Sequence, residues 1–288
     1  MRALIIGCGY LGLPLGMELA RQGHSVSGLR RTGAVELQAA GITPVLADIT
    51  RPESLARFAP GYDWVVHCVS SGGGSPDDYR RLYLEGMRNV LGWLGSHPPQ
   101  KLVYTSSTGV YGQNNGELVD ETSVTEPAAD TARILLETEK LLLDADQVPA
   151  VVLRLAGIYG PGRGYWLNQF LNGEARLEGR GARFLNMIHR DDAVGVILAA
   201  LQRGRPGETY NAVDDEPVPQ LACFEWLSHT LRRALPPAVP VPEGPARRRG
   251  ATNKQVSNRR LHQELDYRLK YPNFREGFAA LLRSRESR

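Results

Sequence analysis

The 288-residue sequence is poor in cysteine: three residues, Cys8, Cys68 and Cys223, far apart and with no CxxC pair. An odd, scattered set cannot build a disulfide framework and points to a reducing compartment. Cys8 and Cys68 lie in apolar runs and read as small buried hydrophobes. Long hydrophobic runs are also missing. No stretch approaches the roughly 20 apolar residues that span a bilayer. The N-terminal run, residues 3–6, meets glycine too soon for a signal peptide. The expectation is a soluble, cytoplasmic chain with no membrane partner. The six histidines are scattered, none at metal-ligand spacing, so no metal is expected. The net charge of +3 is too small to argue for nucleic acid. The one basic run, residues 247–249, has no stacking aromatics beside it, so nucleic-acid binding is not expected. That run reads as a solvated loop, with contact to an anionic ligand or cofactor phosphate as the other reading.

What is present is an alternation. Apolar, β-rich runs occur at residues 3–6, 24–29, 43–47, 63–69, 101–105 and 150–155. Helix-length stretches separate them at 11–22, 34–40, 52–58, 77–94 and 128–145. Strands that are apolar throughout, each followed by a helix, imply a parallel sheet covered on both faces. Right-handed crossovers make it an α/β, Rossmann-type doubly wound sheet. After Gly160-Pro161-Gly162 the rhythm breaks. Residues 1–160 read as a dinucleotide-binding core and 161–288 mainly as a smaller C-terminal substrate lobe. Residues 188–213, a helix at 190–202 and a strand at 208–213, return to the core. Residues 236–245 read as a surface loop.

Gly7-Cys8-Gly9-Tyr10-Leu11-Gly12 is a GxGxxG placed directly after the first strand, at the start of a helix. That context makes it a phosphate loop. The first glycine allows the tight turn, the second admits a diphosphate, and the third lets helix and strand pack closely. The helix start adds free N–H groups and a positive pole. Cofactor contacts are expected from Gly7, Gly9, Tyr10, Leu11 and Gly12. An NAD site carries an acid about 20 residues past the glycines, on the ribose 2′-hydroxyl. Here that place holds Arg30 and Arg31, and two guanidiniums suit a 2′-phosphate. The predicted cofactor is NADP, with NAD as the alternative. Asp48 and Ile49 read as adenine contacts, or Asp48 as the N-cap of the helix that follows.

These segments resemble the extended short-chain dehydrogenase/reductase superfamily, specifically the NAD-dependent epimerase/dehydratase family. The resemblance rests on Gly7 to Gly12, Asp48-Ile49, the run TSSTGVYG at 105–112, RLAGIYGPG at 154–162 and IHRDD at 188–192. The tail, with Val256-Ser257-Asn258 and Tyr271-Pro272, is similar to a bacterial subgroup of atypical members. The resemblance implies Val69 and Ser70 at the cofactor, and Ser71, Thr108, Tyr111 and His189 at the substrate. It also implies a small-molecule substrate and, as for many members, a homodimer through helices at the sheet's edge. The family's chemistry uses a serine, a tyrosine as general acid/base and a lysine four residues later. Ser107 falls on the serine position. With Glu139 as the family's following glutamate, Thr131 stands where the tyrosine belongs and Leu135 where the lysine belongs. Threonine is a far weaker acid than a phenol, and leucine donates nothing.

Two functions remain open on the sequence. One is an NADP-dependent oxidoreductase or epimerase-like enzyme acting on a small polar or nucleotide-sugar substrate. The other is a non-catalytic NADP(H)-binding redox sensor or regulator, favoured by the missing pair.

Overall fold

The apolar runs become the seven strands of one sheet in the computed structural model, which describes residues 1–240 and 252–286. The strands are β1 (Arg2–Ile6), β2 (Ser25–Arg30), β3 (Thr43–Leu46), β4 (Trp64–His67), β5 (Lys101–Ser107), β6 (Ala150–Leu155) and β7 (Thr209–Ala212). Their spatial order is 3-2-1-4-5-6-7, and all six neighbouring pairs are parallel. The chain therefore forms the Rossmann-type doubly wound sheet. Every residue of β6 is buried, as are four of the five in β1. Helices on both faces account for the absence of a polar side to these strands.

Winding runs outward from β1 in one direction to β3 and from β4 in the other to β7. The order reverses between β1 and β4, where Ile6 is level with both Leu29 and His67. The three strand ends leave a crevice there, the place where open α/β sheets bind ligands. Helix α1 (Gly12–Arg21) starts at this crevice.

The structure differs from the expected elements in several places. The helix expected at 77–94 is one helical rod in three parts: Pro76–Tyr79, a wide π turn over Arg80–Glu85, and Gly86–Leu94. Ser75 and Asp78 close a capping box at its start. The helix after β3 is only Pro52–Leu55. β5 runs on to Ser107. The stretch expected as a loop at 236–245 holds a short strand, Ala238–Val239, paired with Leu177–Glu178. Residues 241–245 and the basic run at 247–249 lie outside the described residues.

The described residues form two apolar cores. One surrounds the sheet and includes Ile188, Ala193 and Tyr210. The other gathers Tyr159, Leu167, Phe170 and Phe224 with Phe274 and Phe278 of the C-terminal helix Phe274–Glu286. Among the described residues, no helix is long and apolar enough to cross a membrane.

Candidate functional site

The loop joining β1 to α1 is shaped by contacts that exclude side chains. Gly7 has φ of 90°, and a Cβ there would lie 2.6 Å from the backbone of Val69. A Cβ on Gly12 would lie 2.7 Å from the Gly7 carbonyl oxygen and 2.9 Å from Ile5 Cγ2. Both positions therefore exclude every other residue. Gly9 is different: a Cβ there would meet nothing within 4 Å. It faces open space above the loop. The Gly9 amide donates to Gly7 O at 2.7 Å and Leu13 N donates to Gly9 O at 2.8 Å. Among the described residues, no protein acceptor takes the amides of Tyr10 or Leu11. No side chain caps α1. The result is a rigid loop with free donors and a helix's positive pole, an arrangement suited to an anion.

Arg30 ends β2 beside this loop. Its charge opposes the effect of burial on the Cys8 thiol, which burial pushes up to about 11. Its guanidinium pairs with Glu36 at 2.6 Å. Arg31 is exposed. Asp48 accepts from the Thr50 amide at 2.9 Å and the Thr50 hydroxyl at 2.8 Å. Partial burial raises its pKa, but those two bonds, with Arg31 and Arg51, hold it below the ordinary value. It therefore closes its own turn. The alternative role as N-cap is corrected, because Arg51 occupies that position. Ile49 is a buried core residue. Val69 lies against Gly7. The Ser70 hydroxyl accepts from Gly72 N at 3.3 Å. Ser71 N donates to the Tyr83 hydroxyl at 3.3 Å, and Ser71 Oγ is enclosed with no partner among the described residues.

Ser107 ends β5 and its Oγ accepts from Gly109 N at 3.0 Å. Among the described residues, no acceptor takes its own proton. Thr131 is half-buried in the helix Asp130–Leu143, and Leu135 is buried in the core. Three expected substrate contacts need correction. Tyr111 has no exposed surface. Its hydroxyl donates to Asn211 Oδ1 at 2.8 Å and accepts from Arg154 at 2.9 Å. His189 is 2% exposed: its Nδ1 accepts from Asp191 N at 3.2 Å and its ring packs edge-on to Tyr159. Burial pushes its pKa down. Thr108 is nearly buried in the turn Thr108–Val110. In each case the side chain is buried within the protein.

Sequence reasoning missed a buried polar chain beneath the site. Ser106 donates to Glu139, and Arg154 donates to the same carboxylate at 2.7, 3.1 and 3.3 Å. Arg154 then reaches Tyr111, and Tyr111 reaches Asn211. Also missed was Lys254, whose ammonium donates to Tyr111 O at 3.0 Å and Thr252 Oγ1 at 2.6 Å. Burial pushes its pKa down to about 8. Asp192 accepts from the amides of Lys270 and Tyr271, tying the tail to the helix Arg190–Arg203. No local sequence pattern signals these partners.

Comparison with known proteins agrees with this architecture. The model of the NAD dependent epimerase/dehydratase family matches residues 3–212. Protein YeeZ of Escherichia coli K12 is 29% identical over 217 residues, covering 73% of this chain and 76% of that protein. A 3-diazoavenalumate denitrifying reductase of a Streptomyces species is 29% identical over 307 residues, covering 96% of this chain and 99% of the reductase. The structure of DesIV, a dTDP-glucose 4,6-dehydratase from Streptomyces venezuelae with NAD and TYD bound, superposes with a TM-score of 0.80. That match covers 98% of this chain and 96% of DesIV at 20% identity, a likeness of fold.

Proposed function

Because the chain belongs to the NAD dependent epimerase/dehydratase family, we propose that it binds a pyridine dinucleotide, NADP in preference to NAD, and acts as a reductase- or epimerase-like oxidoreductase on a small polar substrate, nucleotide sugars included. One observation carries the reading. The Gly7–Gly12 loop has unmade amide bonds and open space over Gly9, at the point where the sheet order reverses. A dinucleotide fits the residues present. Its diphosphate would take the amides of Tyr10 and Leu11, and a 2′-phosphate would take Arg30 and Arg31. The relative that spans nearly the whole chain is a reductase, which supports this direction of chemistry.

The bound cofactor would supply or accept a hydride. The chain's own residues would do the rest. Ser107 would donate its free proton to the substrate oxygen and so orient it. Ser70 and Ser71, in the loop after β4, would line the same pocket, and the amide loop would hold the cofactor's charge in register with them. Without a phenol at Thr131, the second proton-transfer group would come from the substrate's side of the pocket or from solvent.

The experiment follows NADPH absorbance with a panel of nucleotide sugars, ketones and aldehydes. Turnover by the wild type and its loss in Ser107→Ala are expected. In titrations, Arg30→Ala should weaken NADPH by roughly ten- to a hundredfold, the worth of a charge-assisted bond, and leave NADH unchanged. Equal NADH and NADPH affinities, unmoved by Arg30→Ala, overturn the NADP preference. A second reading, dinucleotide sensing without turnover, is favoured by one observation: Leu135, at the lysine position, is buried in the core. Tight NADPH binding with no turnover on any substrate would select it.

A further inference from the structure

The phosphate loop contains no cation, so its amides alone would face the two charges of a diphosphate. We propose that Arg163, reaching over from the turn that opens the second core, is the diphosphate-binding cation of this site. The inference rests on the dinucleotide reading above.

The geometry begins at Tyr10, the residue of the loop that lies between the open Gly9 and the free amide of Leu11. Two guanidiniums lie over its ring, Arg163 at 5.3 Å and Arg190 at 5.5 Å from the centroid. The Tyr10 hydroxyl is enclosed, with no partner among the described residues. Burial raises its pKa, and both arginines oppose the rise, so both charges are felt at the loop.

The turn that carries Arg163 touches the loop directly. A Cβ on Gly160 would lie 2.8 Å from Arg190 Cβ and 2.9 Å from Tyr10 Oη. Gly160 and Arg163 bond to each other in both directions, Gly160 N to Arg163 O at 2.8 Å and Arg163 N to Gly160 O at 3.0 Å. Gly162 within that turn has φ of 72°. The four residues therefore form a closed turn, with the Arg163 side chain exposed at its end.

The two arginines are not equivalent. Arg190 is half-buried and pairs with Asp191 at 2.9 Å. Arg163 is exposed and, among the described residues, pairs with no carboxylate. Among the described residues, its side chain lies against the Tyr10 ring. A cation–π contact at an exposed site is weaker than a charge-assisted bond to phosphate. A diphosphate settling on the loop would draw the guanidinium from the ring to the anion. The helix Tyr165–Leu171 begins two residues later, so the same arginine links cofactor binding to the second core.

The test is calorimetric titration of the full chain with three probes. NADPH and ADP-ribose carry the diphosphate, whereas adenosine 2′-monophosphate does not. Arg163→Gln is expected to weaken ADP-ribose and NADPH about tenfold, to reduce the salt dependence of ADP-ribose binding, and to leave adenosine 2′-monophosphate unchanged. Arg163→Lys should recover most of the loss. Because Arg163 is exposed, the melting temperature should stay at the wild-type value. Unchanged ADP-ribose affinity in Arg163→Gln overturns the inference and leaves the dinucleotide reading standing. An equal loss for all three probes also overturns it. A wild-type protein that binds neither NADPH nor ADP-ribose overturns the dinucleotide reading itself.

Discussion

Replacing Glu139 with leucine tests the buried polar chain that anchors the site. Glu139 is 2% exposed and Arg154 8%, and the guanidinium makes contacts of 2.7, 3.1 and 3.3 Å to that carboxylate. Without the carboxylate, Arg154 keeps the Tyr111 hydroxyl at 2.9 Å and the Tyr111 ring at 4.9 Å, but no counter-charge. An uncompensated buried charge costs about 3–5 kcal/mol. A guanidinium cannot shed its proton to escape that cost. For a chain of this length a loss of 1 kcal/mol lowers Tm by roughly 2 °C, so Glu139→Leu should lower Tm by about 6–10 °C. The double variant Glu139→Leu/Arg154→Met removes both charges and should recover most of the loss, since an apolar pair of similar volume often matches a buried ion pair. Thermal and urea unfolding followed by two probes, with coincident transitions required, give the numbers. A single variant within about 1 kcal/mol of wild type, or a double variant no more stable than the single, would refute the argument that desolvated charge dominates here. Glu139 also accepts from Ser106, the residue before Ser107 in β5, so its loss should also lower turnover.

Gly9→Ala should fold as the wild type does, because its Cβ meets nothing, yet weaken NADPH by filling the space above the amides. Gly12→Ala should lose both stability and binding, because its Cβ strikes the Gly7 carbonyl. Melting and calorimetry on the two variants read this contrast, and equal behaviour would contradict the cradle geometry. His67 is wholly buried, and both ring nitrogens lack a partner among the described residues. Burial pushes its pKa down to about 4. Between the unfolded value near 6.5 and that lower one, the unfolded chain binds a proton that the folded chain refuses. Stability therefore falls as pH drops through this window, by up to about 3 kcal/mol. His67→Phe should flatten the fall between neutral pH and pH about 4.5, read from urea midpoints. An unchanged slope would assign acid lability to other groups.

The strand, glycine turn and helix start at the N-terminus could be read from the sequence because their determinants are neighbours in the chain. Strand, tight turn and helix start all fall between Arg2 and Arg21, and Gly7 and Gly12 each answer a close contact made within that unit or with the segment just after β4. Arg30 falls at the end of the next strand, as expected from the same local pattern. Alternating apolar runs likewise dictated a parallel, doubly covered sheet, since continuous burial leaves no polar side to a strand. Tyr111, His189 and Thr108 were misjudged because a hydroxyl or imidazole near a strand end looks the same facing a cleft or facing the core. Asn211, which takes the Tyr111 hydroxyl, is 100 positions away. Arg163 meets Tyr10, and Lys254 meets Tyr111, across larger separations still. Which distant side chains meet depends on strand order and on the path of the chain after β6. Local periodicity carries no information about either, so the tertiary structure alone decided those partners.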